Sequence, residues 1–178
     1  MRVVITGGPC SGKSSIIKAL SRGGYNVVPE IARSLFMVLK TFNSRKLEDR
    51  SFIQDYIETT HLKNWIENQD AFFDRGLPDE IGYRDFFGEP VPSDLWDNCE
   101  KVRYDLVFFL PFWDEIYEND TERNETRAEA QDLHNKLLFA YDKILRYKYI
   151  MVPKLPVEER VKFILNHVNE NGGLSGII

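Results

Sequence analysis

Two cysteines, Cys10 and Cys99, are all that the 178 residues contain, and no C-x-x-C pair is present. A disulfide framework is thereby excluded, and a reducing, cytoplasmic setting is the expectation. No apolar run approaches the roughly 18–20 residues needed to cross a bilayer, and the opening MRVVITGG is too short an apolar run for a secretion signal. Low-complexity tracts, internal repeats and Pro/Gly/Ser linkers are also missing. The chain therefore reads as one domain over residues 1–170, with a tail at 171–178. Positive surplus is lacking as well: 23 Lys and Arg stand against 28 Asp and Glu, for a net charge of −5. Binding nucleic acid without sequence preference requires cations over phosphates, so that function class is disfavoured.

The charge that is present is uneven. Residues 1–50 hold nine basic and three acidic side chains, whereas 114–132 hold eight carboxylates against two arginines. The acidity is local, and the N-terminal part is the basic one.

Short apolar runs without polar alternation mark strands covered on both faces, as in a parallel sheet. They are Arg2–Thr6, Tyr25–Pro29, Ala71–Phe73, Leu106–Leu110 and Tyr149–Val152. Helical spacing separates them, at Lys13–Arg22, Ile31–Leu39, Arg50–Asn68, Pro78–Phe87, Ser93–Val102, Thr126–Arg146 and Val157–Val168. This alternation predicts an α/β domain, a three-layer αβα sandwich around a five-stranded parallel sheet.

Gly7–Ser14, GGPCSGKS, matches G-x-x-x-x-G-K-[ST] in full, between a buried strand and an amphipathic helix. Such a loop wraps phosphates with backbone N–H groups, so Gly7 and Gly12 must permit close approach. The contact run covers Gly7, Gly8, Pro9, Cys10, Ser11, Gly12, Lys13, Ser14 and Ser15, with Cys10 acting through its backbone N–H. The helix start presents its positive dipole end to the anion. The Lys13 ammonium suits the β and γ phosphates, and the Ser14 hydroxyl suits Mg²⁺.

A phosphate loop is shared by kinases, GTPases and ATPase machines, so other positions decide. The GTPase motifs D-x-x-G and N-K-x-D are missing, since Asp74-Arg75-Gly76 has the wrong spacing and Asn135-Lys136-Leu137-Leu138 lacks the aspartate. No strand ends in Asp-Glu, as a hexameric ATPase requires. Small-molecule kinases instead place an acidic residue and an arginine after the third strand, as Asp74 and Arg75 stand here. Asp74 is the candidate for Mg²⁺ or the acceptor proton, and Arg75 for a phosphate or the acceptor. Glu30 closes the second strand, with Arg33 one turn into the next helix, and both strand ends open onto the crevice of the phosphate loop. Glu30 is thus a candidate general base or acceptor anchor, or a helix cap, and Arg33 an anion ligand. Arg123 and Arg127, in the acidic segment after the fourth strand, suit a lid over about 114–130 that closes on the phosphates. That lid is expected to be mobile without ligand and to order with both arginines turned to the phosphates. Tyr83, Phe86, Phe87 and Trp96 fit either the core or an acceptor pocket. His61, His134 and His167 show no metal spacing and read as ordinary surface or partly buried residues.

The segments VVITGGPCSGKSS, GYNVVPEIAR, FFDRGLPDEIGYRDFFG, YDLVFFLPFWDEIYENDTERNETRAEA and YKYIMVPKLPVEERVKFIL resemble the NadR-like AAA domain family, almost end to end. The resemblance implies a P-loop NTPase fold similar to nucleoside and nucleoside-monophosphate kinases. It implies that Gly7–Ser15 is the nucleotide loop, that Ser14 with Asp74 holds Mg²⁺, and that Arg123 with Arg127 forms the lid. Glu30 and Arg33 would face the acceptor; Arg75 and Tyr83, read from their positions, complete the substrate-binding candidates. The expected activity is a small-molecule kinase using Mg-ATP, or GTP as the other base left open, on a nucleoside-like or phosphorylated acceptor. A regulatory ATP- or GTP-binding module and a polynucleotide 5′-kinase are the alternatives. The partners expected are a nucleotide and a small acceptor, with no membrane. Nothing in the sequence sets the oligomeric state.

Overall fold

A computed structural model describes residues 1–9, 11–114 and 126–174. Five parallel strands, β1 Arg2–Thr6, β2 Val27–Val28, β3 Ala71–Asp74, β4 Leu106–Phe109 and β5 Tyr149–Met151, form one sheet in the order β2-β3-β1-β4-β5. Seven α-helices lie among the described residues. They are α1 Lys13–Arg22, α2 Ile31–Thr41, α3 Arg50–Glu67, α4 Leu77–Phe86, α5 Ser93–Lys101, α6 Arg127–Phe139 and α7 Val157–Glu170.

Strand residues alternate between the two faces, as the pleat requires. Val3, Ile5, Phe72 and Phe108 pack with Ile16 and Leu20 of α1 and Ile164 and Val168 of α7. Val4, Phe73, Val107 and Phe109 pack with Leu77 and Ile81 of α4, Leu95 of α5, and Leu133 and Leu137 of α6. Both faces are covered, which explains strands without polar alternation. A smaller cluster of Ile31, Leu35, Leu39, Ile53 and Ile57 joins α2 to α3 beside the edge strand. The result is the expected three-layer sandwich. No helix of the described residues is long and apolar enough to cross a membrane.

Two features depart from the sequence pattern. The single helix expected over Thr126–Arg146 is α6 followed by a π turn at Ala140–Ile144, and a 3₁₀ turn at Arg45–Glu48 precedes α3. The π turn brings the Tyr141 hydroxyl to Asp79, in line with such turns marking functional places. Of the tail, Leu174 packs on the α1–α7 core, while Ile177 and Ile178 lie outside the described residues. Residues 115–125 of the expected lid, with Arg123 and the mobility expected there, and Cys10 lie outside them too.

The sheet order sets the place of the site. β1 lies between β3 and β4; the chain passes from β1 to the β2 edge and, after β3, crosses to β4 on the other side, so the crevice opens at the C-terminal end of β1. The phosphate loop follows β1, Asp74 ends β3 in register with Ile5, and Glu30 follows β2.

Candidate active site

β1 ends in buried Thr6 and gives way to Gly7 at φ 138°. A Cβ there would lie 2.5 Å from the Leu110 carbonyl oxygen, so only glycine fits. Gly12 sits at φ 80° as the residue before α1, and a Cβ on it would press 2.7 Å from the Arg160 guanidinium. The Ser11 hydroxyl donates to the Gly8 carbonyl at 2.9 Å and closes the loop. Ser14 is half-buried and Ser15 exposed in the first turn of α1, and Pro9 is half-buried.

Lys13 points back into this loop. Its Nζ donates to the carbonyls of Gly7 at 2.7 Å and Gly8 at 2.9 Å, and to the Ser11 hydroxyl at 3.3 Å. Burial, then repulsion from Arg75, lowers its pKa to about 7, against the pull of Asp74, Glu30 and Asp79. The ammonium thus occupies carbonyls that line the phosphate path.

Asp74 is 7% exposed, and its Oδ1 has no hydrogen-bond partner among the described residues. Burial raises its pKa, with Glu30 and Asp79 adding to the rise and Lys13 and Arg75 opposing it. A buried carboxylate oxygen without a partner is a donor for a hard cation. Among the described residues no group of three or more His, Cys, Asp or Glu could hold a metal alone. Mg²⁺ takes one or two protein ligands and completes its shell with phosphate and water.

Arg75 ties the end of β3 to Glu30, Asp79 and the phosphate loop. Its backbone sits at φ 72°, a left-handed conformation that costs a non-glycine residue about 1–3 kcal/mol. The guanidinium justifies it: Nε donates to Glu30 Oε1 at 3.0 Å, and Nη1 donates to Asp79 Oδ1 at 3.1 Å and to the Gly7 carbonyl at 3.3 Å. Its carbon lies 5.3 Å from the centre of the Tyr83 ring. Glu30 precedes α2, yet its side chain makes no capping bond to the helix. Burial would raise the Glu30 pKa, but the charges of Arg75 and Lys13, the Arg75 hydrogen bond and Arg33 outweigh it, and the carboxylate is held below its usual range. Arg33 Nε is 3.8 Å from Glu30, at an exposed rim.

Asp79 has no role in the sequence reading, and the structure makes it the hub. It is fully buried at the third residue of α4. It accepts from the Thr6 hydroxyl at 2.6 Å, the Tyr141 hydroxyl at 2.7 Å, the Gly76 N–H at 3.0 Å and Arg75. One carboxylate so ties the end of β1, the Arg75 turn and the end of α6. The spacing G-x-x-D after a strand is the local signal, because an acid three residues into a helix satisfies its first N–H groups. Asp79→Asn keeps one acceptor oxygen and loses the other and the charge. It should cost about 1.5–3 kcal/mol, read as a lower urea midpoint at unchanged slope; an unchanged midpoint would remove Asp79 from this role.

Arg160 of α7 is the other residue without local signal. It is 4% exposed, donates to the Ser11 carbonyl at 3.1 Å, and lies 5.1 Å from the Trp113 ring centre. Arg127 is exposed and ion-paired with Asp114, so the structure does not bring it to the phosphate loop. Of the aromatic candidates, Tyr83, Phe86 and Trp96 pack against the core, and Tyr83 also stacks on Phe87 and lies near Arg75.

His61 and His134 are not surface residues. Each is buried, His61 on α3 and His134 on α6 with its ring 5.2 Å from that of Phe109. Burial is the main cause that lowers each pKa to about 4, against about 6.5 in the unfolded chain. The folded state then binds fewer protons between those values. This stability is whole above about pH 6.5 and is lost as the pH falls toward 4. Urea midpoints should drop over that window and drop less in His134→Gln; a flat profile in the wild type would show these imidazoles to be solvated.

Solved structures share this architecture. Deoxyadenosine kinase from M. mycoides, with dCMP and dCDP bound, aligns with a TM-score of 0.69 and 17% identity, over 96% of this chain and 100% of that one. Shikimate kinase from Aquifex aeolicus aligns at 0.58 and 21%, over 97% and 100%. The NadR protein in complex with NR aligns at 0.65 and 16%, over 99% of this chain and 52% of that one. The fold is therefore that of P-loop nucleotide and small-molecule kinases. No curated protein sequence matches the chain. A family model described as AAA domain matches residues 2–160, a span that holds the phosphate loop, Glu30, Asp74, Arg75 and Arg160. The chain belongs to that AAA domain family.

Proposed function

We propose that the protein is a small-molecule kinase that transfers the γ-phosphoryl group of ATP to a hydroxyl of its acceptor. The observation that carries this reading is the Glu30–Arg75 pair, 3.0 Å apart, with the same arginine bonded to the first carbonyl of the phosphate loop. An ionised carboxylate is thereby fixed on the acceptor side of a phosphate site.

The chain's own groups divide the work. The loop N–H groups and the start of α1 hold the phosphates, and Lys13 exchanges loop carbonyls for phosphate oxygens. Glu30 accepts the hydrogen bond, and then the proton, of the attacking hydroxyl. Ser14 and Asp74 are the residues that would hold Mg²⁺, which supplies charge neutralisation on the phosphate oxygens. Arg127 would serve as a lid arginine only after leaving Asp114, and Arg123 would act beside it. A hydroxyl suits this site better than a phosphate acceptor, because Arg75 is bonded to Glu30, Asp79 and the loop, and Arg33 stands at an exposed rim.

Incubation with γ-labelled ATP, Mg²⁺ and pooled metabolites tests the proposal. Label in a new phosphomonoester supports it. Label released only as inorganic phosphate points instead to a nucleotide-hydrolysing switch.

A further inference from the structure

Among the described residues, three buried side-chain atoms have no hydrogen-bond partner: Asp74 Oδ1, His134 Nδ1 and Arg160 Nε. All three side chains border the phosphate loop. Asp74 ends the strand next to β1, a Cβ on Gly8 would lie 2.8 Å from that of His134, and one on Gly12 would lie 2.7 Å from Arg160 Nη1. Of the three, Arg160 alone carries a fixed positive charge. Three arginines are buried among the described residues, and two of them have carboxylates: Arg75 pairs with Glu30 and Asp79, and Arg84 with Glu58. Arg160 is the most buried and has none. Burial alone acts on its pKa, lowering it, and no neighbouring charge opposes the shift. It spends one N–H on the Ser11 carbonyl, at 3.1 Å. The Trp113 ring, 5.1 Å from the guanidinium carbon, supports the cation without neutralising it. Buried charges are as a rule paired, so a cation kept unpaired on an anion-binding loop has its counter-ion in the ligand.

We infer that Arg160 is a nucleotide-binding residue whose counter-charge is the polyphosphate, and that its free N–H groups donate to phosphate oxygens at the Ser11–Gly12 turn. The inference rests on the reading of Gly7–Ser14 as the nucleotide loop, and it holds whichever compound accepts the phosphoryl group. Gly12 serves the same contact, because only a residue without a Cβ lets the guanidinium lie against the loop backbone. Arg160 comes from α7, beyond the contiguous motif, and adds a second cation to that of Lys13. Hydrogen bonds between a guanidinium and phosphate are charge-assisted and stronger than the one it makes to a carbonyl.

Calorimetry on the whole chain with two probes, a non-hydrolysable ATP analogue and inorganic tripolyphosphate, tests this. Arg160→Met should weaken both by at least about tenfold. Arg160→Lys, which keeps the charge, should bind tripolyphosphate more tightly than Arg160→Gln, which keeps an N–H for the Ser11 carbonyl and drops the charge. Urea unfolding without nucleotide separates this role from a structural one. Removing a mere anchor of the loop lowers stability, whereas methionine in place of an unpaired buried cation does not. The Arg160→Met midpoint should therefore equal or exceed that of the wild type. A lower midpoint with unchanged affinity for tripolyphosphate would make Arg160 an anchor and overturn the inference. Weakening of the ATP analogue alone would place Arg160 against the base and overturn it as well. Equal affinities of Arg160→Lys and Arg160→Gln for tripolyphosphate would do the same, even where Arg160→Met folds poorly. Loss confined to the variants bears on Arg160 alone, whereas a wild type that binds neither probe would overturn the loop reading together with it.

Discussion

Lys13→Ala should lower phosphoryl transfer by about a thousandfold or more, because it deletes the cation aimed at the transferring group. The argument comes from where the ammonium already is. It holds the carbonyls of Gly7 and Gly8 and the Ser11 hydroxyl, so it stands at the loop's centre and has only to change partners. The same burial that lowers its pKa to about 7 makes it a costly resident of the folded protein. Alanine removes three hydrogen bonds and a buried charge at once, and those effects on stability oppose each other. The fold should therefore survive, and a melting curve beside the kinetics separates loss of chemistry from loss of structure. Binding of a fluorescent ATP analogue should weaken in parallel. Survival of both binding and transfer would mean that Gly7–Ser14 is not the phosphate loop.

Glu30→Gln should reduce transfer by about a hundredfold to ten-thousandfold, the range of a general base, and leave ATP binding intact. The carboxylate is ionised because Arg75 and Lys13 outweigh its burial. The amide is nearly isosteric and cannot take a proton. Arg75 keeps Asp79 and the Gly7 carbonyl in the variant, so its guanidinium should hold its place. The loss should appear in kcat at unchanged KM for ATP. Transfer at the wild-type rate would reduce Glu30 to an anchor for Arg75.

Much of the fold was legible in sequence because the deciding signals are local. β1 and α1 have the bounds the pattern predicts, and the other strands differ by a few residues. Buried parallel strands are short apolar runs, and the phosphate loop is contiguous. The π turn after α6 was not legible, because its residues continue the helical pattern and the carboxylate its Tyr141 reaches, Asp79, lies across the core. The same separation hid much of the site. Tyr141 reaches Asp79 across 62 positions, and Arg160 reaches Ser11 across 149. Asp74, Glu30 and Arg75 were visible as strand-end residues, but not that Arg75 spends its donors on Glu30 and Asp79. His61 was missed because α3 carries no clean apolar stripe, with exposed Tyr56 and Ile66 off the face that buries Ile53, Ile57 and His61.

The central claim is that the carboxylate beside the phosphate loop directs the γ-phosphoryl group to a hydroxyl rather than to water. A phosphorus balance under turnover tests it most directly, with ADP, phosphomonoester and inorganic phosphate quantified in one reaction with Mg-ATP and an acceptor. The account predicts ADP and phosphomonoester in equal amounts, with little inorganic phosphate. ADP matched by inorganic phosphate alone, across every hydroxyl compound offered, would contradict it.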